Sequence, residues 1–483
     1  MNELVCLMDG REVGRVHRQK GRLSFRYSRS WRDAPGAYPL SLSMPLVAEE
    51  HPNSAIEPFL WGLLPDNELV LRRWATTFQV SPRSVFGLIA NVGEDCAGAV
   101  QFMSPERFEK LKAETTPTID WLTEADVAAR LRALRLDAAA GRAPHDLGQF
   151  SLAGAQPKTA LLYDGQRWGI PAGRTPTTHI LKPTTAEFDG HAENEHVCLA
   201  LARALGLPTA QTEVRRFEDV SAIMVTRYDR VVTAVLAAEA AARAATAAAS
   251  AAAFAANVED SKSPALAARA AAESVAAAED ARVMGEFARG TPIYRVHQED
   301  LCQALGVHPS RKYQNEGGPG AREIIYTLRA NVGGGSGNAL REDVATLVGA
   351  LIFNWLIGGT DAHAKNYSIL IGGGGLVRLA PLYDVASIFA YDHIDPLRAK
   401  LAMSIGGEYR LRDIGWAEWR RFAGSMGLPA DEIIENARSM ALNLPDALGE
   451  EIAEARARGL DHPALGRLAA ALIGRARRVT EMA

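Results

Sequence analysis

Apolar and polar positions alternate in short runs over residues 1 to about 105, which predicts strands and turns. LVCLMDGREVGRV reads as a hairpin around Asp9-Gly10, and GRLSFRYS follows as a further strand. Helical spacing then takes over in IEPFLWGLLPDNELVLRRWATTF, interrupted at Pro65-Asp66, and in SPRSVFGLIANVG, where Ser81 before Pro82 offers a cap. CAGAVQFM closes the region as a strand, and Thr118 to Leu136 reads as a linking helix. A second β-rich region runs from about Gly148 to Arg230, with strands at GQFSL, TALLY, HILKP and AIMVTRYDR and one helix from Glu193 to Leu205. Beyond Thr291 the pattern turns helical, through HQEDLCQALG, REIIYTL, ALIFNWLI and several helices after Trp416.

Between Val231 and Arg289 roughly half the residues are alanine, a bias that reads as a tolerated insertion of mobile helix or disorder. The pattern divides the chain into 1-105, an N-terminal β-rich subdomain; 106-230, a lobe with a glycine-containing loop; 231-290, the Ala-rich insertion; and 291-483, a mostly helical lobe. The run Ala345 to Ile357 falls short of the ~18 residues that span a bilayer and predicts a buried helix.

Composition narrows the class. At 483 residues, several domains or lobes are expected, and a net charge of -4 gives no case for nucleic-acid binding by this chain alone. Cys6, Cys96, Cys198 and Cys302 lie far apart without metal-ligand spacing, which disfavours zinc and a disulfide framework and fits a reducing cytoplasm. The opening MNELVCLMDGREVG lacks the basic and apolar regions of a signal peptide.

The candidate chemistry lies in five segments. In GTDAHAKNYSIL, Asp361 and Asn366 have the five-position spacing of a kinase catalytic loop, where the Asp accepts a hydroxyl proton and the Asn holds magnesium. An ordinary capped turn competes for the same residues. Asp384 in VRLAPLYDVASI follows an apolar strand, as a kinase's second metal-binding Asp does, or forms an Asx-turn. SLAGAQPKT fails as a Walker loop because Pro157 precedes Lys158; a strand, small-residue loop, strand arrangement can instead cover phosphates, and a plain hairpin remains open. Lys182 ends the strand HILKP, with Glu193 and Glu195 on the next helix able to orient it; Glu195 is preferred. AIMVTRYDR stands where a hinge joins two lobes, so the backbone of Thr226, Arg227 and Tyr228 is placed to meet adenine. Individually weak, the segments occur in the order that a bilobal kinase needs.

With those segments in hand, the chain resembles the HipA family of serine/threonine kinases, the toxins of bacterial type II toxin-antitoxin systems. The likeness runs through FLWGLLPDNELVLRRWA, GEDCAGAVQF, SLAGAQPKTALL, HILKP, NEHVCLALARALGLP, VTRYDR, HQEDLCQALG, KYQNEGGPG, TDAHAKNYSIL, PLYDVAS and KLAMSIGGE, nearly the whole chain apart from the Ala-rich stretch and the tail. The resemblance implies an α+β bilobal fold of the protein-kinase and phosphoinositide-kinase type. It implies Asp361 as catalytic base, Asn366 and Asp384 as Mg²⁺ ligands, and ATP held by Ala153, Gly154, Ala155, Gln156, Lys158, Thr159, Lys182, Thr226, Arg227, Tyr228, His363, Lys365, Asn366 and Tyr383. It further implies autophosphorylation at Ser151, a HipB-type helix-turn-helix antitoxin as partner, DNA contact only through that partner, and a protein substrate such as glutamyl-tRNA synthetase. Pro157 departs from relatives with an acidic residue there, and the Ala-rich insertion is long for the family. A non-catalytic ATP-binding co-repressor and a small-molecule kinase are the competing readings.

Overall fold

The computed structural model describes all residues except Asp9, 115–117, 142–149, 186–187, 257–270, 272–273, 276, 279–292, 334–336 and Ala483. Two compact units emerge: Met1–Tyr228 with His297–Ala483, and Asp229–Val296. In the smaller unit, Arg230–Val232 pairs antiparallel with Ile293–Arg295 and Thr233–Ala256 is helical. Most of the remaining Ala-rich stretch lies outside the described residues.

The larger unit is α+β. Its first sheet orders Glu50–His51, Arg22–Tyr27, Arg11–Gln19, Glu3–Met8 and Val100–Met103, all antiparallel. Met8 pairs with Arg11 across the expected hairpin turn, of which Asp9 lies outside the described residues. The expected interruption at Pro65-Asp66 separates the helices Asn53–Gly62 and Glu68–Phe78, the second capped by the Asn67 side chain. The helix Val85–Val92 starts later than expected: Ser84, not Ser81, accepts the Gly87 N–H, while Ser81 accepts from Arg83 in the preceding turn.

The second sheet orders Thr212–Phe217, Val220–Thr226, His179–Pro183, Thr159–Tyr163, Trp168–Ala172 and Thr118–Leu122. Here Thr118–Leu122 corrects the linking helix. It pairs with Trp168–Ala172, and a capping box between Thr123 and Asp126 begins the helix only at Glu124. That helix, Glu124–Leu136, covers one face through Val127, Leu131 and Leu134 against Leu161, Leu181 and Met224. On the other face, Ala192 packs with Val214, Ile223 and Val225. The expected strand GQFSL is absent from its described part, where Phe150 forms a single parallel bridge with Asp95.

The C-terminal region is mostly helical, with a three-stranded sheet of His297–Asp300, Ser368–Gly372 and Leu376–Leu379 set among the helices. HQED is therefore strand, and Asp300 caps the helix that follows. The helix Asn338–Ile357 is buried continuously from Leu347 to Ile357, as its apolar run predicts. Apolar packing is continuous from the N-terminal sheet to the C-terminal helices, and Gln303 Nε2 donates to the Phe59 carbonyl across that junction. Among the described residues, no helix is long and apolar enough to cross a membrane.

Candidate active site

Strand alternation turns Leu181 into the core under Glu124–Leu136 and Lys182 to the opposite face. There Lys182 Nζ donates to Glu195 Oε1 at 2.8 Å and to Asp384 Oδ1 at 2.7 Å. Burial opposes the Lys182 charge, but Asp384 and Glu195 outweigh it and hold the ammonium above the ordinary lysine range. Burial likewise works against the Asp384 carboxylate, yet Lys182 keeps its pKa well below the usual value. Asp384 has φ of 57°, a left-handed conformation that Asp tolerates better than most residues. Its side chain retains 36% exposure, so one face of the carboxylate is open.

The helix carrying Glu195, His191–Ala204, is tied to the segment after Asp384. Asn194 Nδ2 donates to the Ser387 carbonyl at 2.8 Å, while its Oδ1 accepts the Ser387 N–H at 3.1 Å. A single amide thus pairs with both backbone groups of one residue and fixes the spacing between Glu195 and Asp384.

The loop beyond Ile357 is launched by Gly358, whose φ of 68° ends the helix; a Cβ there would lie 2.6 Å from the Phe389 ring. Asp361 follows with its side chain 67% exposed, and Tyr313 Oη donates to its Oδ1 at 2.6 Å. Asn366 Nδ2 donates to the Asp361 carbonyl at 2.8 Å, which orients the amide and leaves Oδ1 as its acceptor. His363 packs edge-on against Tyr313, and burial pushes its imidazole down to about 4. Lys365 does not face open solvent: its Nζ donates to Asp66 Oδ1 at 2.5 Å. Tyr383 Oη bonds the Lys365 carbonyl and Ser368 Oγ, bracing the same loop.

Ser151 is fully buried. Its Oγ donates to the Leu63 carbonyl at 2.7 Å and its N–H to the Asp95 carbonyl at 2.9 Å. The following loop is folded on itself, with Lys158 Nζ donating to the Ala153 carbonyl at 2.7 Å. Burial and then nearby Lys182 push the Lys158 ammonium down to about 8. Gly154 has φ of 103°, which a side chain would strain. A cavity beside Ala155, Gln156 and Pro157 is walled by Val70, Trp74 and Phe150. Thr159 Oγ1 is turned to the Gly141 carbonyl.

At the other end, the Arg227 N–H donates to the Thr178 carbonyl, and its guanidinium is buried against Thr177 and the Cys96 carbonyl. Thr226 is exposed, and the Tyr228 ring lies 5.9 Å from that of Tyr383.

Lys182, Glu195 and Asp384 are thus in direct contact, and Asp361 with Asn366 share one loop. Ser151 and Arg227 are instead engaged with the N-terminal region. Three residues outside the sequence-based set also belong to this neighbourhood: Asp66, Lys312 and Tyr313. Asp66 stands in the PDNE break between helices, where a polar residue inside an apolar stretch was the one available signal. Among the described residues, no three His, Cys, Asp or Glu side chains converge on a metal position. Asn366 Oδ1 and the open side of Asp384 are hard oxygen donors, and they fit Mg²⁺, which takes few protein ligands and keeps waters.

A sheet lobe presenting a Lys–Glu pair, next to a helical lobe with an Asp/Asn loop and a further Asp after a strand, is the arrangement of a bilobal kinase. The family described as HipA-like C-terminal domain matches residues 150–284 and 265–448, and the HipA N-terminal domain matches residues 4–103. The chain belongs to the HipA family. It is 34% identical over 452 residues to the Sinorhizobium fredii protein Y4mE, covering 92% of this chain and 90% of that one. It is 27% identical over 444 residues to the serine/threonine-protein kinase toxin HipA of Shewanella oneidensis, covering 88% and 83%. The fold matches the HipA of the toxin-antitoxin complex of Shewanella oneidensis MR-1 with HipB and operator DNA, with a TM-score of 0.73, 22% identity and coverage of 99% and 98%.

Proposed function

We propose that this kinase transfers the γ-phosphoryl group of ATP to a protein hydroxyl, and that it acts as the toxin of a HipA/HipB-like pair. The observation that carries the reading is the contact of Lys182 with both Glu195 and Asp384, beside an exposed Asp361. Asp361 accepts the hydroxyl proton, with Tyr313 steering its carboxylate. Lys182 grips phosphate oxygens, and Glu195 keeps its ammonium aligned. His363 and Lys365 lie at the nucleotide's edge, the loop Ala153–Thr159 covers its phosphates, and Thr226 to Tyr228 with Tyr383 frame its base. Asn366 and Asp384 hold Mg²⁺, which when bound neutralises developing phosphate charge. Ser151 is the autophosphorylation site; a phosphate adds about -1.5 to -2 charge, which disfavours its buried seat.

The name of the Shewanella relative supports a toxin role, and its complex supports a HipB-type antitoxin that supplies the DNA contact. An aminoacyl-tRNA synthetase, such as the glutamyl enzyme, is the proposed substrate class on family resemblance. Incubating the full chain with labelled ATP and Mg²⁺ should place label on Ser151. Asp361→Asn should abolish incorporation while nucleotide still binds; continued incorporation by that variant overturns the assignment of the base, and binding without incorporation by the wild type favours a non-catalytic co-repressor.

A further inference from the structure

The N-terminal region touches the catalytic loop through one side chain that kinase chemistry does not demand. Asp66 Oδ1 accepts from Lys365 at 2.5 Å, and Oδ2 accepts from Lys312 at 2.8 Å. These pairs are largely sheltered: the side chains of Asp66, Lys312 and Lys365 are 15%, 17% and 3% exposed. Burial acts against the Asp66 carboxylate, yet Lys365 and Lys312 together bring its pKa down to about 2.

The backbone of the same segment grips the other side of the site. The Asp66 N–H donates to the Gly154 carbonyl at 3.1 Å, Pro65 bridges Gly154, and the Leu63 carbonyl accepts the Ser151 hydroxyl. Residues 63–66 therefore hold the glycine-containing loop by main chain and the catalytic loop by carboxylate. Without that carboxylate, two ammonium groups drawn to one point repel each other, and Lys365 loses its fixed position between Asp361 and Asn366.

We propose that Asp66 is a positioning residue for phosphoryl transfer, holding Lys365 and Lys312 in register with the loop 151–158 so that the N-terminal region completes the kinase site. This rests on the proposed roles of Asp361, Asn366 and Asp384. Lys182 keeps its bonds to Glu195 and Asp384 in such a variant, so loss of Asp66 acts more on the transfer step than on nucleotide capture, which it reaches only through Lys365.

The test uses the full chain with Asp66→Asn and Asp66→Glu. Self-phosphorylation at varied ATP should show the maximal rate of Asp66→Asn lowered ~10- to 100-fold, the scale of a displaced group at the reacting centre, with a smaller change in KM for ATP. Asp66→Glu should recover part of the rate. Asp66→Asn combined with Lys365→Met should lose little beyond Lys365→Met alone, as expected if both act through one contact. Hydrogen exchange over Gly359 to Asn366 is read on the same variants and does not depend on turnover: faster exchange in Asp66→Asn at unchanged global unfolding supports the proposal. A maximal rate within about twofold of wild type, additive losses in the double variant, or unchanged exchange overturns it. If the wild type transfers no phosphate, the kinase assignment fails, while the exchange measurement still decides the role of Asp66.

Discussion

Replacing Ser151 with Asp tests whether negative charge alone ejects the loop. The native hydroxyl is fully buried between Phe150 and Leu152, themselves buried, and donates to the Leu63 carbonyl at 2.7 Å. Ser151→Ala removes the donor and leaves that carbonyl short of a partner, a cost of about 1–3 kcal/mol. Ser151→Asp adds a carboxylate facing the Leu63 carbonyl oxygen, with no cation hydrogen-bonded to the native hydroxyl among the described residues, and the effective penalty for a buried, unpaired charge is several kcal/mol, taken here as about 4. The released loop rehydrates that charge, so the difference enters the seating equilibrium directly. At ~1.4 kcal/mol per tenfold, opening should rise about 10-fold for Ala and roughly 1000-fold for Asp. Two amides report it from opposite sides: Ser151 N–H, bound to the Asp95 carbonyl, and Asp66 N–H, bound to the Gly154 carbonyl. Hydrogen exchange measured without nucleotide should accelerate at both in the order Ser, Ala, Asp. Wild-type protection in Ser151→Asp would refute the reasoning, because the seat would then accommodate an anion and the proposed phosphorylation would need another route to displace the loop.

Lys182→Met leaves the buried Glu195 carboxylate and Asp384 facing each other without their shared cation. Breaking a buried pair costs roughly 3–5 kcal/mol, and the partial exposure of Asp384 puts the expectation near the lower bound; denaturant unfolding checks it, and adding Glu195→Gln should restore part of the loss. Glu299 offers a pH test, since burial raises its carboxyl to about 8 while its Oε1 accepts the Leu42 N–H. With the folded value above the unfolded ~4.3, its stabilising contribution is complete below about pH 4 and is lost as pH rises toward 8. Glu299→Gln should therefore flatten the decline in stability across that window, and an unchanged slope in unfolding free energy against pH would remove Glu299 as its source.

Local rules carried the parts of the site that each segment specifies by itself. HILKP reads as an apolar strand ending in Lys, which singles out Lys182, and the apolar run ending at Ile357 announces a buried helix with a polar loop beyond it. The fixed spacing of Asp361 and Asn366 survives in space because the amide of one bonds the carbonyl of the other. Thr118–Leu122 reads as helix in the sequence because its three exposed and two half-buried residues carry no clean period; what makes it a strand is Trp168–Ala172, a partner far along the chain. Ser81 and Ser84 illustrate a smaller ambiguity, in which two nearby hydroxyls can each serve as a cap and only the turn geometry chooses between them.

Asp66 marks where sequence reading ends for a physical reason. Its partners Lys365 and Lys312 lie 299 and 246 positions away, so no periodicity or spacing can join them. What the chain did display was an acidic residue interrupting an apolar stretch, followed at once by the Asn67 cap. An acid at such a break is ordinarily satisfied by solvent or by the next helix. Here the helix is capped by Asn67 instead, which frees Asp66 to point across to the catalytic loop, and the continuous core beneath Phe59 and Leu301 holds the two regions close enough for it to arrive. The same packing buries Ser151 against Leu63, so the seat of the loop and the anchor of Lys365 are consequences of a single junction.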